Sequence, residues 1–350
     1  MVEQDIRDMR GFMKERIDRQ DAALNDLALT LNRDIVEERT AAMEAPVAKD
    51  TVLPEENGQP PERETFTPDI RELQAGLITL GYDLGTPKPN GEPGVKTRQA
   101  LQEFRQFYFT GSDVQDNLAS EPLVAQVLNS ADAVRRDAAR FNIRRDVLAA
   151  IRLGSMRTGV DFSFLMEVAR VESNFNPAAR APHSTATGLF QFRDHAWLES
   201  VRTFGADYGL QDYASRVELI DSADYTQERI VRDPLQLEVL ALRLNPRLST
   251  LMMAESIKRN LQNLSERIGL EPGRTELYLA HFLGTDSAVV FLDKLDQDPA
   301  ASAADLFPQE AELNPGVFLN PGQQPRSVGD VYRRFERKFD TGRYGESNPG

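Results

Sequence analysis

The chain has 350 residues, 40% of them apolar, enough to bury a large core in one domain with a smaller companion. A formal net charge of −14 excludes a general nucleic-acid binder, which neutralises phosphates with Lys and Arg. The lack of cysteine excludes disulfides, thiolate nucleophiles and Cys-ligated zinc, and no run approaches the roughly 18 consecutive apolar residues of a spanning helix.

Residues 1–44 predict an N-terminal helix: Ile6, Met9, Met13, Ile17, Leu24, Leu27, Leu31 and Ile35 recur at spacings near three and four. Dense charge makes it too polar for a core, so it reads as a coiled coil or tether for self-association, a docking helix, or simply a long solvated one. The first twenty residues lack the apolar stretch of a secretory signal. Were the site of action outside the cytoplasm, delivery would have to follow removal of a leader, or use a route other than general export. Residues 45–65 collect Pro46, Pro54, Pro60 and Pro61 with Asn57-Gly58, the composition of an extended linker.

Residues 66–110 predict a small α-domain. Ile70, Leu73, Leu77 and Leu80 form one helical stripe, a turn-rich loop runs from Gly81 to Gly94, and a second helix from about Lys96 carries Ala100, Leu101, Phe104 and Tyr108. Residues 111–158 predict helical connectors. There Arg135, Arg136, Arg140, Arg144 and Arg145, interrupted by Asp132, Asp137 and Asp146, read as a solvated face. From 159 to 340 the pattern stays helical, with turns at Asn176-Pro177, Asn245-Pro246, Glu271-Pro272-Gly273 and Asn314-Pro315; residues 341–350 form a flexible tail. No series of alternating strands and no repeat is present, so the class is all-α.

The segment richest in chemistry is the helix from about Asp161 to Ser173. Phe164, Leu165, Val168 and Val171 form its core-facing stripe, and Glu172 falls on that stripe, four residues after Val168. Desolvation there, together with the negative end of the helix dipole, is expected to raise its pKa and make it a general acid. The competing reading has Glu172 fraying into solvent with the helix end. Glu167, roughly 140° around the helix, is expected to face solvent. Asn176-Pro177 stops the chain sharply, Gly188 permits close backbone approach, and Gln191 offers an amide for a sugar hydroxyl or N-acetyl group.

Other chemistries find no support. His183, His195 and His281 have no metalloprotease spacing; Asp293, Asp296 and Asp298 do not match a calcium loop; and neither a serine-hydrolase elbow nor a phosphate-binding loop is present. No metal and no cofactor are expected. Set among Leu279, Phe282 and Leu283, His281 reads as a core residue.

Glu-Val-Ala-Arg-Val-Glu-Ser-Asn-Phe-Asn-Pro (167–177), followed by Ala-Thr-Gly-Leu-Phe-Gln-Phe (186–192), resembles the soluble-lytic-transglycosylase domain of glycoside hydrolase family 23. The family pattern is a catalytic Glu followed by Ser, then a Gly-Leu-aromatic/Met-Gln segment. The resemblance implies a lysozyme-like helical catalytic domain over 159–340, with Glu172 as its catalytic residue. It further implies that Ser173, Gly188, Leu189, Phe190 and Gln191 contact substrate. Leu-Tyr-Leu-Ala-His-Phe-Leu-Gly (277–284) stands at the family's Ala-Tyr-Asn motif, whose Tyr supports the carboxylate. His281 occupies that Tyr position and Tyr278 lies one turn earlier, so either is placed to serve, and both join the expected substrate-binding set.

Separately, Leu73-Gln74, Leu80-Gly81-Tyr82, Asn90-Gly91, Gly94, Thr97, Ala100 and Phe104 resemble the three-helix peptidoglycan-binding domain, with Asn90 in place of its usual Asp. Together the resemblances imply that the partner is peptidoglycan and the setting the periplasm or cell envelope, in a cell or a phage component. The implied reaction is non-hydrolytic: Glu172 protonates the MurNAc–GlcNAc oxygen, the substrate's N-acetyl group stabilises the anomeric carbon, and Glu172 then deprotonates the C6 hydroxyl, leaving a 1,6-anhydro end. Two alternatives remain. A hydrolytic muramidase would need a second carboxylate, Asp194 or Asp207, with Asp194 expected on the exposed side of its helix. A non-catalytic wall-binding scaffold would work through the small domain and the N-terminal helix.

Overall fold

In the computed structural model the described residues are 69–85, 89–109, 120–182, 184–217, 234–339 and 343–344. The helix expected over 1–44, the linker over 45–65 and His183 lie outside them. The first described helix, α1 (Ile70–Thr79), is opened by Asp69, whose carboxylate accepts the Arg71 and Glu72 amides at 2.9 and 3.2 Å. Helix α2 (Val95–Tyr108) buries Ala100, Leu101, Phe104 and Tyr108 as the pattern predicts. Between them, the side chain of buried Gln74 organises the loop. Its Oε1 accepts the Asn90 and Gly91 amides at 2.9 and 3.1 Å, while Nε2 donates to Asn90 Oδ1 and the Glu92 carbonyl at 3.0 and 2.9 Å.

The helix packed along α1 is α3 (Glu121–Arg140). Gly76 makes this closeness possible, since a Cβ there would stand 3.2 Å from Leu128 and 3.3 Å from Val127. The arginines of the basic stretch are exposed, as expected, but Asp137 is turned inward onto Arg152, at 2.6 and 2.8 Å.

Helix α4 (Arg145–Thr158) is buried over most of its circumference, from Val147 through Ile151 with Leu153 and Gly154. This run of buried residues sits at the centre of the fold, and α3, α2, α5 (Phe162–Ser173) and α9 (Pro246–Ile268) all pack on the helix. At Gly154 a Cβ would meet Thr250 Cγ2 at 2.5 Å, so this glycine sets the close α4–α9 contact. Around this centre run α6 (Asp194–Phe204), a 3-10 turn (Gly205–Tyr208), α7 (Gln211–Arg216), α8 (Pro234–Ala241) and a second 3-10 turn (Leu242–Leu244). Beyond α9 follow α10 (Arg274–Leu283), α11 (Thr285–Gln297) and the short α12 (Ala303–Leu306), α13 (Pro308–Leu313) and α14 (Pro315–Phe318). The last helix is α15 (Val328–Glu336). Among the described residues there is no strand, only isolated bridges, so the fold is all-α. None of the described helices is long and apolar enough to cross a membrane.

The small N-terminal unit and the larger helical unit share one hydrophobic core. Arg247, in the first turn of α9, joins them: it donates to the Leu80 carbonyl at 3.1 Å, faces Glu103 at 3.4 Å and lies 3.9 Å from the centre of the Tyr82 ring.

Candidate active site

Helix α5 begins at Asp161, whose Oδ1 accepts the Phe164 amide at 2.8 Å and receives Arg274 from the start of α10 at 2.8 Å. From Phe162 through Ala169 every residue is buried. Glu167, expected to face solvent, is therefore enclosed, with 0% exposure. The stripe reading fails here because α5 enters the core and has no solvent face until its last turn. The helix stops where expected: the Asn174 and Phe175 amides cap the Arg170 and Ala169 carbonyls at 3.1 and 3.3 Å. Asn174 and Phe175 both have left-handed φ, 51° and 63°. That conformation costs a phenylalanine roughly 1–2 kcal/mol, and packing of its ring edge-on against Tyr344, 6.0 Å away, holds it there.

Glu172 is left at the rim, its side chain 18% exposed, neither in the core nor frayed into solvent. Tyr278, reaching across from α10, donates its hydroxyl to Glu172 Oε1 at 3.0 Å. His281 Nε2 stands 3.9 Å from the same oxygen, beyond hydrogen-bond length. The two side chains are one helical turn apart, their ring centres 5.9 Å from each other. Burial, and then the Glu172 carboxylate, push the Tyr278 phenol far above its usual pKa, so it remains a protonated donor. His281 is 26% exposed, a rim residue rather than the core residue its neighbours suggested.

The 186–192 segment is fastened beside Glu172. Ser173 Oγ donates to the Leu189 carbonyl at 2.7 Å. Gly188 has φ +86°, and a Cβ there would come within 2.5 Å of the Arg243 carbonyl, so only glycine fits. Gln191 directs its amide donors inward, to the Ala179 and Gly188 carbonyls at 3.1 and 2.9 Å. Leu189 and Phe190 are fully buried. The Ser173 hydroxyl and the Gln191 amide thus build the wall of the site, and the Leu189 and Phe190 side chains underpin it.

Arg243, which the sequence reading did not single out, anchors this wall. From the second 3-10 turn its Nη1 donates to the Thr185 and Phe192 carbonyls, both at 3.0 Å, and to Asp194 Oδ1 at 2.6 Å. Asp194 is consequently buried, not exposed: the guanidinium draws it inward at the start of α6. A charge set inside Leu240-Ala-Leu-Arg-Leu244 was the available signal, since a cation within an apolar run needs a buried acceptor. Asp207 is exposed on the 3-10 turn after α6.

The site therefore presents one half-buried carboxylate, a protonated phenol bonded to it and a wall of hydrogen-bonded backbone. Past the end of α5, a groove of about 720 Å3 is lined by Arg140, Phe141, Arg144, Asn174, Asn176 and Tyr344 among others; Glu172 and Tyr278 are not part of its lining. No cluster of metal-ligating side chains occurs among the described residues.

Two family models match the chain. Residues 149–215 match the transglycosylase SLT domain, and residues 67–110 match the putative peptidoglycan binding domain. Glu172, Ser173 and the 186–192 segment lie within the first match; Tyr278 and His281 lie beyond it.

Proposed function

We propose, on the premise of a peptidoglycan-binding domain set ahead of a transglycosylase SLT domain, that this chain cuts peptidoglycan glycan strands without water, using Glu172 as acid and then as base. Protonated Glu172 donates to the oxygen joining MurNAc to GlcNAc, and the bond from that oxygen to the MurNAc anomeric carbon breaks. The carbonyl of the MurNAc N-acetyl group bonds to the anomeric carbon and carries the positive charge. Ionised Glu172 then takes the proton of the C6 hydroxyl, whose oxygen displaces the acetamido oxygen and closes the 1,6-anhydro ring. Glu172 ends protonated, ready for the next bond.

The observation that carries this reading is the solitary carboxylate at the end of α5, held by a phenol that stays protonated. Two-carboxylate hydrolysis requires a second acid beside the scissile bond. Of the candidates, Asp194 is engaged by Arg243 and Asp207 is exposed beyond α6. Peptidoglycan as partner places the protein in the context of the cell wall or envelope.

Replacement of Glu172 by Gln tests the assignment. Release of soluble fragments from purified sacculi is expected to fall by about 10²–10⁴-fold, the usual worth of a general acid–base group, with sacculus binding retained. Release near the parent rate would remove Glu172 from the reaction.

A further inference from the structure

We propose that Lys338, carried to the site by the C-terminal segment beyond the SLT match, is a positioning residue whose cation balances the charge that appears on Glu172 when it donates its proton. The inference rests on the transglycosylase reading and extends it to a residue that neither motif contains.

The segment is fitted to the site along its length. Helix α15 packs on α10, where the Phe335 ring lies 5.5 Å from Tyr278 and 5.2 Å from Phe282. Phe339 lies 4.9 Å from Tyr278 and 5.7 Å from Phe164 of α5, so it wedges between the two helices that form the site. Between these rings comes Lys338. Its carbonyl accepts Arg170 Nη2 of α5 at 2.5 Å, which ties the segment to the catalytic helix two residues before Glu172. Its ammonium then lies 5.2 Å from the centre of the Tyr278 ring and 5.0 Å from that of Phe335.

This places a cation against the face of the phenol whose hydroxyl bonds Glu172. Such a cation strengthens the phenol as a donor and acts on the carboxylate directly. Burial lowers the pKa of Lys338, the Glu172 carboxylate opposes that shift, and Arg334 and Arg170 add to it. The charged and titratable groups around it are therefore Glu172 and Arg170 from α5, Tyr278 from α10 and Arg334 from α15; His281 of α10 faces Glu172 itself, and Glu336 and Arg337 on its own segment are exposed. Among them Glu172 is the group holding the proton on Lys338. Set on the ring of the phenol that bonds Glu172, the Lys338 ammonium lies where a cation opposes the negative charge left on that carboxylate between proton donation and proton removal. A half-buried carboxylate with a single phenol donor gains most from such a partner, because low local dielectric magnifies the attraction.

The test uses the full chain with Lys338→Met, Lys338→Gln and Lys338→Arg, assayed on purified sacculi for the rate and product of release. The neutral variants are expected to lose about 10-fold in maximal rate, as for loss of a charge-assisted interaction, at an unchanged half-saturating sacculus concentration. Lys338→Arg is expected to stay within about 3-fold of the parent. It should also keep its activity to higher pH, since guanidinium stays charged where a desolvated lysine loses its proton. Neutral variants within twofold of the parent would overturn the proposal, as would Lys338→Arg falling as far as they do. A parent that releases no fragments at all would instead overturn the transglycosylase reading, and the role of Lys338 with it.

Discussion

The loop after α1 and the loop after α5 are built by the same device and end in different chemistry. In the small unit, Gln74 fastens a glycine-bearing loop by saturating both ends of its amide with the backbone of Asn90, Gly91 and Glu92 and the side chain of Asn90. In the larger unit, Ser173, Gln191 and Arg243 fasten the 186–192 loop, again through backbone carbonyls around a left-handed glycine. The difference is what stands at the end of the helix. α1 runs into a turn with its organising groups spent internally, whereas α5 ends on a carboxylate that, among the described residues, only a phenol from another helix engages by a hydrogen bond. Loop wiring is thus scaffold in both units, and the proposed reactivity rests on the acid that the scaffold leaves at the rim.

Breaking the wiring on the catalytic side should have the larger effect. Arg243→Met removes the partner of buried Asp194 and the donor to the Thr185 and Phe192 carbonyls, so we expect a loss of about 3–5 kcal/mol in denaturant unfolding and a matching loss of cutting as the wall moves. A variant that unfolds and cuts like the parent would show that the wall stands without it. In the small unit, Gln74→Leu strands the Asn90 and Gly91 amides and should cost about 2 kcal/mol. It should weaken sacculus binding more than it slows cutting of soluble glycan fragments; equal losses in both would erase the distinction between scaffold and chemistry.

The smallest expected effect per residue is set by pH. Burial raises the phenols of Tyr82, Tyr108 and Tyr278 above their ordinary value of 10.0. A raised folded pKa means the folded state binds the proton more tightly. Its contribution is complete below about pH 10 and is lost as pH rises beyond it, at roughly 1 kcal/mol per pH unit for each phenol. Unfolding midpoints should therefore hold steady up to pH 10 and fall above it. Replacing Tyr108 by Phe should flatten that fall.

How far the site could be read beforehand depended on where its parts lie in the chain. Glu172, Ser173, Gly188 and Gln191 fall within one short stretch whose spacing is itself the signal. The supporting residue could be narrowed to Tyr278 or His281, since the same helical face presents both. Only distance separates them, and that is a property of how α10 crosses α5. Periodicity failed at Glu167 for the opposite reason: it assumes a helix with one wet face, and the first two turns of α5 have none. Ser173 and Gln191, expected as substrate contacts, also make wall-building bonds to backbone carbonyls, which an isolated motif cannot reveal. Lys338 lies far downstream, and its approach to Tyr278 comes through the packing of Phe335 and Phe339. The fold class followed from helical periodicity throughout. The joining of the two units by Arg247 did not, because a single arginine at the start of a helix looks like a surface charge until Tyr82 and Glu103 surround it.

The central claim is that one carboxylate cuts the glycan without water, and the most direct measurement is mass spectrometry of muropeptides released from purified sacculi in water enriched in heavy oxygen. Our account predicts anhydro products one water lighter than hydrolysis products, free of the heavy label, formed by the parent and not by Glu172→Gln. Full-mass reducing ends carrying the label would contradict it and make the enzyme a hydrolase with a second acid still to be found.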